Sequence, residues 1–86
     1  MLSMNEFIDC CKREVVLYTN TYKNPNPRIN ENDVFVVWSC KTLQNAKAIL
    51  STTNPDKMLY EFTYNGDKNE IYVDAYKKEN NKGDVM

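Results

Sequence analysis

Histidine is absent from this 86-residue chain, and its absence excludes much of the chemistry that small proteins perform. Nucleophile pairs of the Ser–His or Cys–His type cannot form, and no histidine base is available near neutral pH. A lysine or a carboxylate would need a deep pocket to tune its pKa, whereas a domain of this size buries only about 60% of its unfolded surface. We therefore expect a non-enzymatic protein with no catalytic residues and no cofactor.

Cysteine and glycine are scarce as well. The three cysteines, Cys10, Cys11 and Cys40, form neither a disulfide framework nor a Cys-x-x-Cys pair, and without histidine they offer too few ligands for zinc. We expect no metal site, and we expect the adjacent Cys10 and Cys11 to act as small apolar residues of a helix. The two glycines, Gly66 and Gly83, cannot build a phosphate-binding loop.

The chain also lacks a dominant charge and a long apolar run. Eleven Lys and Arg residues against 12 Asp and Glu residues give a net charge of −1, which disfavours both a basic nucleic-acid clamp and an acidic nucleic-acid mimic. No apolar run approaches the roughly 18 residues of a membrane helix, and the N-terminus lacks the pattern of a signal peptide. These features predict a cytoplasmic protein with no membrane partner.

The first 22 residues have the pattern of a capped amphipathic helix. Ser3 and Glu6 have the spacing of a capping box. The apolar residues that follow recur at steps of three and four, as in Met4, Phe7, Ile8, Cys11, Val15, Tyr18 and Tyr22. The spacing predicts a helix from about Met4 to Tyr22, ended by the prolines of segment 24–27. In the following loop, Ile29 is expected to be the anchor.

The remaining chain carries strand and hairpin signals. Residues 34–42 are β-branched and aromatic and predict a central strand, with Val34, Val36, Trp38 and Cys40 on one face and Phe35 and Val37 on the other. Residues 43–53 fit a helical turn, or a turn at Gln44-Asn45 followed by a strand from Ala46 to Thr52, and the short length favours the strand. Residues 58–64 and 71–76 alternate as two further strands around the turn signal of segment 65–69.

Parity restricts the register of that last hairpin. The apolar side chains are even-numbered in the first strand and odd-numbered in the second, so they share a face only if paired residue numbers sum to an odd number. A two-residue loop would pair Phe62 with Asn69, and a four-residue loop would pair Phe62 with Ile71. We expect one of these even loops.

Together, these elements predict a two-layer α+β domain over residues 1–79, followed by a frayed tail over residues 80–86. In this domain, the N-terminal amphipathic helix packs on a three- to four-stranded antiparallel sheet. Phe7 is expected to contact the sheet face that carries Tyr60, Phe62, Ile71 and Val73.

The opposite sheet face is the candidate functional site, because one helix covers only one face. It is expected to keep Tyr72, Tyr76 and Leu59, together with Phe35 and Val37 or with Val36 and Trp38, depending on how the first strand is oriented. Such a surface favours a protein interface, either a homodimer or a captured partner. We expect Trp38, Tyr72 and Tyr76 at the contact and Lys41 at its rim.

Two alternatives stay open at this point. In the first, the same tyrosines stack on the bases of a single-stranded nucleic acid while Lys41, Lys77 and Lys78 meet phosphates. The interleaved acidic residues Glu61, Asp74 and Glu79 disfavour this interpretation. In the second, the loop over residues 24–32 covers the first strand and leaves only two ordinary exposed tyrosines.

Two stretches of the chain resemble a known family. VVWSCKTLQN at residues 36–45 and YNGDKNEIY at residues 64–72 resemble a small family of uncharacterised proteins encoded by phages, prophages and other mobile elements of Gram-positive bacteria. The resemblance extends from the N-terminal helix to Lys78. It implies a short accessory gene product in the cytoplasm of a bacterial host, with a host protein as its partner, and it brings no catalytic or ligand residues.

Overall fold

The computed structural model describes residues 2–55 and 57–77. In chain order these residues form helix α1 (Met4–Tyr18) and strands β1 (Val34–Thr42), β2 (Asn45–Thr52), β3 (Met58–Asn65) and β4 (Glu70–Lys77). The strands make one antiparallel sheet in the order β1-β2-β3-β4, and α1 packs on one side of it. The predicted α+β architecture is confirmed, with four strands. The prediction that residues 34–42 form a central strand is wrong, because β1 lies at one edge of the sheet and most of its side chains are exposed. The predicted tail over residues 80–86 lies outside the described residues.

Helix α1 begins at the predicted capping box. The Ser3 hydroxyl accepts a hydrogen bond from the Glu6 backbone N–H at 3.1 Å, and the Glu6 carboxylate accepts one from the Ser3 backbone N–H at 2.8 Å. The hydrogen bond from the Ser3 backbone N–H lowers the pKa of Glu6, and a hydrogen bond with the Ser3 side chain adds to this effect, because both favour the charged carboxylate. The α-helix ends at Tyr18, earlier than predicted, and a single π-helical turn continues it over Thr19–Lys23.

The core lies between α1 and the two central strands. The helix contributes three fully buried side chains, and β2 and β3 contribute every second residue: Phe7, Cys11, Val15, Ala46, Ala48, Leu50, Met58, Tyr60, Phe62 and Tyr64. Ile29 is buried against this cluster, as predicted for the anchor of its loop. The Asn20 side chain holds the Ile29 backbone N–H and C=O through two hydrogen bonds of 3.0 Å.

The segment after β1, which fitted either a helical turn or a strand, forms strand β2, as its short length favoured. Strand β2 starts at Asn45, one residue earlier than predicted, because Thr42 pairs directly with Asn45. The turn therefore consists of Leu43 and Gln44 rather than Gln44 and Asn45. Leu43 has a φ of 54°, and the favoured two-residue hairpin turns require a positive φ at the first of their two central residues.

The β3–β4 hairpin keeps the predicted parity and the predicted even loop length. Phe62 pairs with Val73, and the four-residue loop covers residues 66–69. The expected pairing of Phe62 with Ile71 is wrong, because the loop starts one residue later than predicted. The Asn65 side-chain oxygen accepts hydrogen bonds from the backbone N–H groups of Asp67 and Lys68, so the turn is organised by Asn65.

The predicted burial of Ile71 and Val73 beneath the helix is wrong. Both residues point to the helix side of the sheet, yet Ile71 is 39% exposed and Val73 is 52% exposed. An α-helix is about 10 Å wide, whereas four strands at about 4.8 Å spacing need roughly 19 Å of cover. Since α1 packs on β1, β2 and β3, strand β4 extends beyond it.

Candidate functional site on the open face

The open face, as we name the side of the sheet turned away from α1, carries sixteen side chains of the four strands. Its residues follow from the strand pairing: Phe35, Trp38, Cys40, Thr42, Asn45, Lys47, Ile49, Ser51, Leu59, Glu61, Thr63, Asn65, Glu70, Tyr72, Asp74 and Tyr76. None of them is fully buried within the described part of the chain. The predicted second, uncovered face therefore exists.

A β-bulge in β1 decides the direction of Trp38. Val36 pairs with Leu50, which is buried beneath the helix, and Trp38 pairs with the next residue of β2, Ile49. Val37 is consequently the extra residue of the bulge. One extra residue reverses the alternation of all side chains that follow it in the strand.

The bulge corrects the predicted faces of β1. Strict alternation placed Trp38 and Cys40 on the same side as Val36, and this assignment is wrong. The structure places Trp38 and Cys40 on the open face with Phe35, while Val36 stays on the helix side. The open face therefore holds aromatic residues from both of the alternative sets that the sequence offered.

Four aromatic rings are partly exposed on the open face. Phe35 and Trp38 on β1 and Tyr72 and Tyr76 on β4 have exposed fractions between 41% and 53%. The alternative in which the loop over residues 24–32 covers the first strand is wrong. That loop is held on the helix side, where Ile29 enters the core.

The lysines predicted beside these rings do not join them. Lys41 pairs with the buried Ala46, so it belongs to the helix side of the sheet, and its ammonium donates a 2.7 Å hydrogen bond to the Leu43 carbonyl. Lys77 pairs with the buried Met58 and also belongs to the helix side. Lys78 lies outside the described residues.

The centre of the open face carries an ion pair with an excess of negative charge. The Lys47 ammonium and the Glu61 carboxylate are 2.8 Å apart, and Asp74 pairs directly with Glu61 across β3 and β4. The hydrogen bond to Glu61 raises the pKa of Lys47, and the charges of Glu61 and Asp74 add to this effect. One lysine thus faces two carboxylates, because like charges lie directly opposite each other on neighbouring strands.

A similar contact fixes one of the tyrosines. The Tyr72 hydroxyl donates a hydrogen bond to the Glu70 carboxylate, two residues earlier on the same strand. This bond and the nearby negative charge raise the pKa of Tyr72, since both disfavour the phenolate. The ring stays neutral at physiological pH and presents its apolar faces to solvent.

Two shallow depressions open on or beside this face. The first has a volume of about 270 Å³, and its lining includes Trp38, Cys40, Lys47 and Thr63. The second, of about 250 Å³, is bordered by side chains that include those of Phe35, Val37 and Leu59. Each depression can hold one or two small side chains but is too small for a drug-sized ligand.

The comparison with protein families places this chain in one family. A family described as a family of unknown function, DUF6275, matches residues 8–83. The chain belongs to this family. It matches none of the curated proteins and none of the solved structures. The resemblance to an uncharacterised family is confirmed in this respect, and the membership supplies no activity.

In this DUF6275 protein, the site residues that sequence reasoning missed lie on the central strands. Lys47 and Ile49 occupy odd positions of β2, and Thr63 occupies an odd position of β3. Once the segment after β1 is taken as a strand with Ala46 and Ala48 inward, alternation places Lys47 and Ile49 outward. The signal was therefore present, but it depended on settling the helix-or-strand ambiguity first.

Neither a metal cluster nor a spanning helix occurs in the described ranges. Across residues 2–55 and 57–77, no group of three His, Cys, Asp or Glu side chains is arranged to hold a metal ion. No helix there has the length and apolarity needed to cross a bilayer.

Proposed function

We propose that this DUF6275 member is a non-enzymatic accessory protein that binds another protein through the open face. The observation that carries the proposal is the set of four aromatic rings, each about half exposed, on one side of a four-stranded sheet. Exposed apolar side chains gathered on one face favour an interaction site, and Trp and Tyr are the residues that most often anchor protein interfaces.

The size of the open face supports the same conclusion. Four strands about 4.8 Å apart and eight residues long at about 3.3 Å per residue make a patch of roughly 500 Å² in projection. Side-chain relief increases this area toward the roughly 800 Å² that each partner buries in a standard interface. A partner of ordinary size can therefore cover Trp38 and Tyr76 at the same time.

Apolar side chains beside the central Lys47–Glu61 ion pair extend the aromatic surface of the open face. Ile49 and Leu59 lie between the two aromatic pairs and are partly buried already. The depression beside Trp38 is lined mostly by apolar surface and can accept one apolar side chain of the partner. An exposed pair such as Lys47 and Glu61 adds little affinity and instead favours one orientation of the partner.

The charges of the open face support a protein partner over a single-stranded nucleic acid. Its lysine, Lys47, is bound to Glu61, and Asp74 and Glu70 add further negative charge on the same side. Binding to phosphates depends on several free cations on one surface, and Lys41 and Lys77 point to the opposite side.

The proposal also covers the origin of the protein and the kind of partner that it binds. The resemblance of residues 36–45 and 64–72 supports a phage or prophage gene product that works in the cytoplasm of a Gram-positive host. The partner is then a host protein, and a second copy bound through the same face is the alternative.

A comparative capture experiment tests this function. Tagged wild-type protein and the Trp38→Ala variant are incubated with lysate of the bacterium that carries the gene, and retained proteins are identified by mass spectrometry. The matched control is Tyr22→Ala, which removes an aromatic ring that is 72% exposed and lies outside the sheet. The proposal predicts a protein that wild type and Tyr22→Ala retain and Trp38→Ala loses.

Two results would count against the proposal. Equal retention by Trp38→Ala and wild type would show that the open face is not used. Quenching of Trp38 fluorescence by an oligonucleotide at low salt, with no retained protein, would favour the nucleic-acid alternative.

A further inference from the structure

Strand β4 is an edge strand that is exposed on both of its faces. All eight of its residues, Glu70–Lys77, are exposed, and its pairing with β3 runs without interruption from Asn65–Glu70 to Met58–Lys77. It is the last strand of the sheet, so no other described strand pairs with its outer edge. A long, regular edge strand of this kind offers unpaired backbone N–H and C=O groups to another strand.

The two edges of the sheet differ in this respect. The bulge at Val37 disrupts the regularity of β1, and bulges are a common means by which proteins prevent edge pairing. Strand β4 has no such interruption. Its helix-side residues, Ile71, Val73 and Ala75, are moreover apolar and lie beyond the cover of α1.

We propose that β4 pairs antiparallel with β4 of a second copy of this chain, across a two-fold axis at Val73. A second copy is the occupant because, at this register, the apolar residues of the strand oppose one another and no like charges are directly opposed. This surface is the edge of the sheet and not the open face, so the proposal does not depend on the proposed function.

Parity restricts the possible registers. Directly opposed residues of an antiparallel pair lie on the same side of the sheet. The apolar residues Ile71, Val73 and Ala75 therefore stay together on the helix side only if odd residues pair with odd residues. The axis must then pass through a residue, and axes at Val73 and Asp74 give the longest overlaps within Glu70–Lys77, about seven residues each, against about five for an axis at Tyr72.

Charge selects one of these three registers. An axis at Tyr72 would place Glu70 opposite Asp74 of the second copy, and an axis at Asp74 would place two aspartates opposite each other. Like charges in directly opposed positions are destabilising. An axis at Val73 avoids both conflicts, because it opposes Tyr72 to Asp74 and Ile71 to Ala75.

The resulting dimer has an eight-stranded sheet with both helices on one side. The two-fold axis is perpendicular to the sheet, so the two open faces join into one surface with Tyr72 and Tyr76 near the seam. Residues 70–76 of each copy pair with one another, which supplies roughly six to eight backbone hydrogen bonds. Such an interface is small, so we expect a weak dimer whose fraction rises with protein concentration.

Disulfide trapping tests the register. In a background with Cys10→Ser and Cys40→Ser, which retains only the buried Cys11, single cysteines are introduced as Val73→Cys or Asp74→Cys. At the axis, the two Cα atoms of residue 73 lie about 4.5–5.5 Å apart, within the range of a disulfide. Residue 74 lies opposite residue 72 instead, so its two copies are too far apart. We expect Val73→Cys to form covalent dimers at least tenfold faster than Asp74→Cys at about 50 µM protein.

Sedimentation analysis provides the second measurement. Wild type is expected to dimerise as its concentration rises toward about 500 µM, Val73→Lys to weaken the dimer at least tenfold, and Trp38→Ala to leave it unchanged. Circular dichroism checks that each variant is folded, which the exposure of Val73 favours.

Three results would overturn the proposal. These are a monomer at every concentration, equal trapping rates for the two cysteine variants, and a dimer that Trp38→Ala abolishes. The last result would assign self-association to the open face and would leave the proposed function standing.

Discussion

Replacing Gly66 by alanine tests how the two hairpin turns of the sheet fit together. An alanine Cβ at this position would lie 2.1 Å from the Gln44 carbonyl oxygen and 2.8 Å from the Gln44 Cβ. Non-bonded atoms do not approach this closely in folded proteins, so the β1–β2 turn and the β3–β4 turn must separate. Because the closest contact is with backbone, a rotamer change cannot relieve it.

The expected cost follows from the bonds that join the turns. The Gly66 backbone N–H donates to the Asn45 side-chain oxygen at 3.2 Å, and the Gln44 side chain donates to the Asp67 carboxylate at 2.8 Å. Losing both costs about 1–3 kcal/mol, at about 0.5–1.5 kcal/mol each, and displacement of the backbone adds to this. Lower entropy of the unfolded alanine chain offsets about 0.4–1 kcal/mol. We expect Gly66→Ala to reduce the free energy of unfolding by about 1–3 kcal/mol.

Urea denaturation followed by circular dichroism measures this change, with two control variants. Asp67→Ala removes one of the hydrogen bonds without adding a Cβ at position 66, and it should cost about 0.5–1.5 kcal/mol. Adding Gln44→Gly to Gly66→Ala should not restore stability, because the carbonyl oxygen remains in place. If Gly66→Ala were as stable as wild type, the close approach of the two turns would be refuted.

Three further predictions concern the core, the bulge and the thiols. Leu50→Ala should cost about 2–5 kcal/mol in urea denaturation, because Leu50 is fully buried; a loss below 1 kcal/mol would place it outside the core. Deleting Val37 should leave a folded protein in which Trp38 is still quenched by acrylamide, since the bulge residue alone is removed; protection of Trp38 would show that the bulge lies elsewhere. Burial raises the pKa of the Cys11 thiol from 9.0 to about 12, so a thiol reagent at pH 8 should modify Cys40 first and Cys11 only on unfolding. Because the folded-state pKa is the higher one, this thiol should lower the stability of the fold as pH rises from about 9 toward 12, and no such loss in a Cys11→Ala comparison would contradict its burial.

Local rules account for the parts of the fold that the sequence predicted. The capping box of Ser3 and Glu6 depends on residues three positions apart, and the helix stripe depends on spacing within one element. The parity of the last hairpin was predicted from the alternation of apolar residues in both strands, and the observed pairing confirms it although Ile71 and Val73 are exposed. The first residue of the loop could not be predicted, because Asn65 and the residues after it are compatible with turns at more than one position.

The errors arose where one residue or one long-range distance decides the outcome. The direction of Trp38 depends on the bulge at Val37, and alternation of apolar residues on both faces of β1 gives no local signal for a bulge. The exposure of Val73 depends on how far α1 reaches across the sheet, which the helix sequence does not encode. The existence of an uncovered sheet face was predictable, because one helix covers only one side of a sheet. Which side chains lie on that face was not predictable.

We expect a protein partner to cover the open face, and Trp38 reports on this directly. Once a partner has been retained, its complex with this protein is titrated with iodide while Trp38 emission is recorded, with affinity measured separately by calorimetry. If the partner contains tryptophan, a 5-fluorotryptophan label read by NMR isolates the Trp38 signal. We predict that the partner protects Trp38 from the quencher at the concentration at which it binds. Binding by calorimetry with undiminished quenching of Trp38 would contradict the claim.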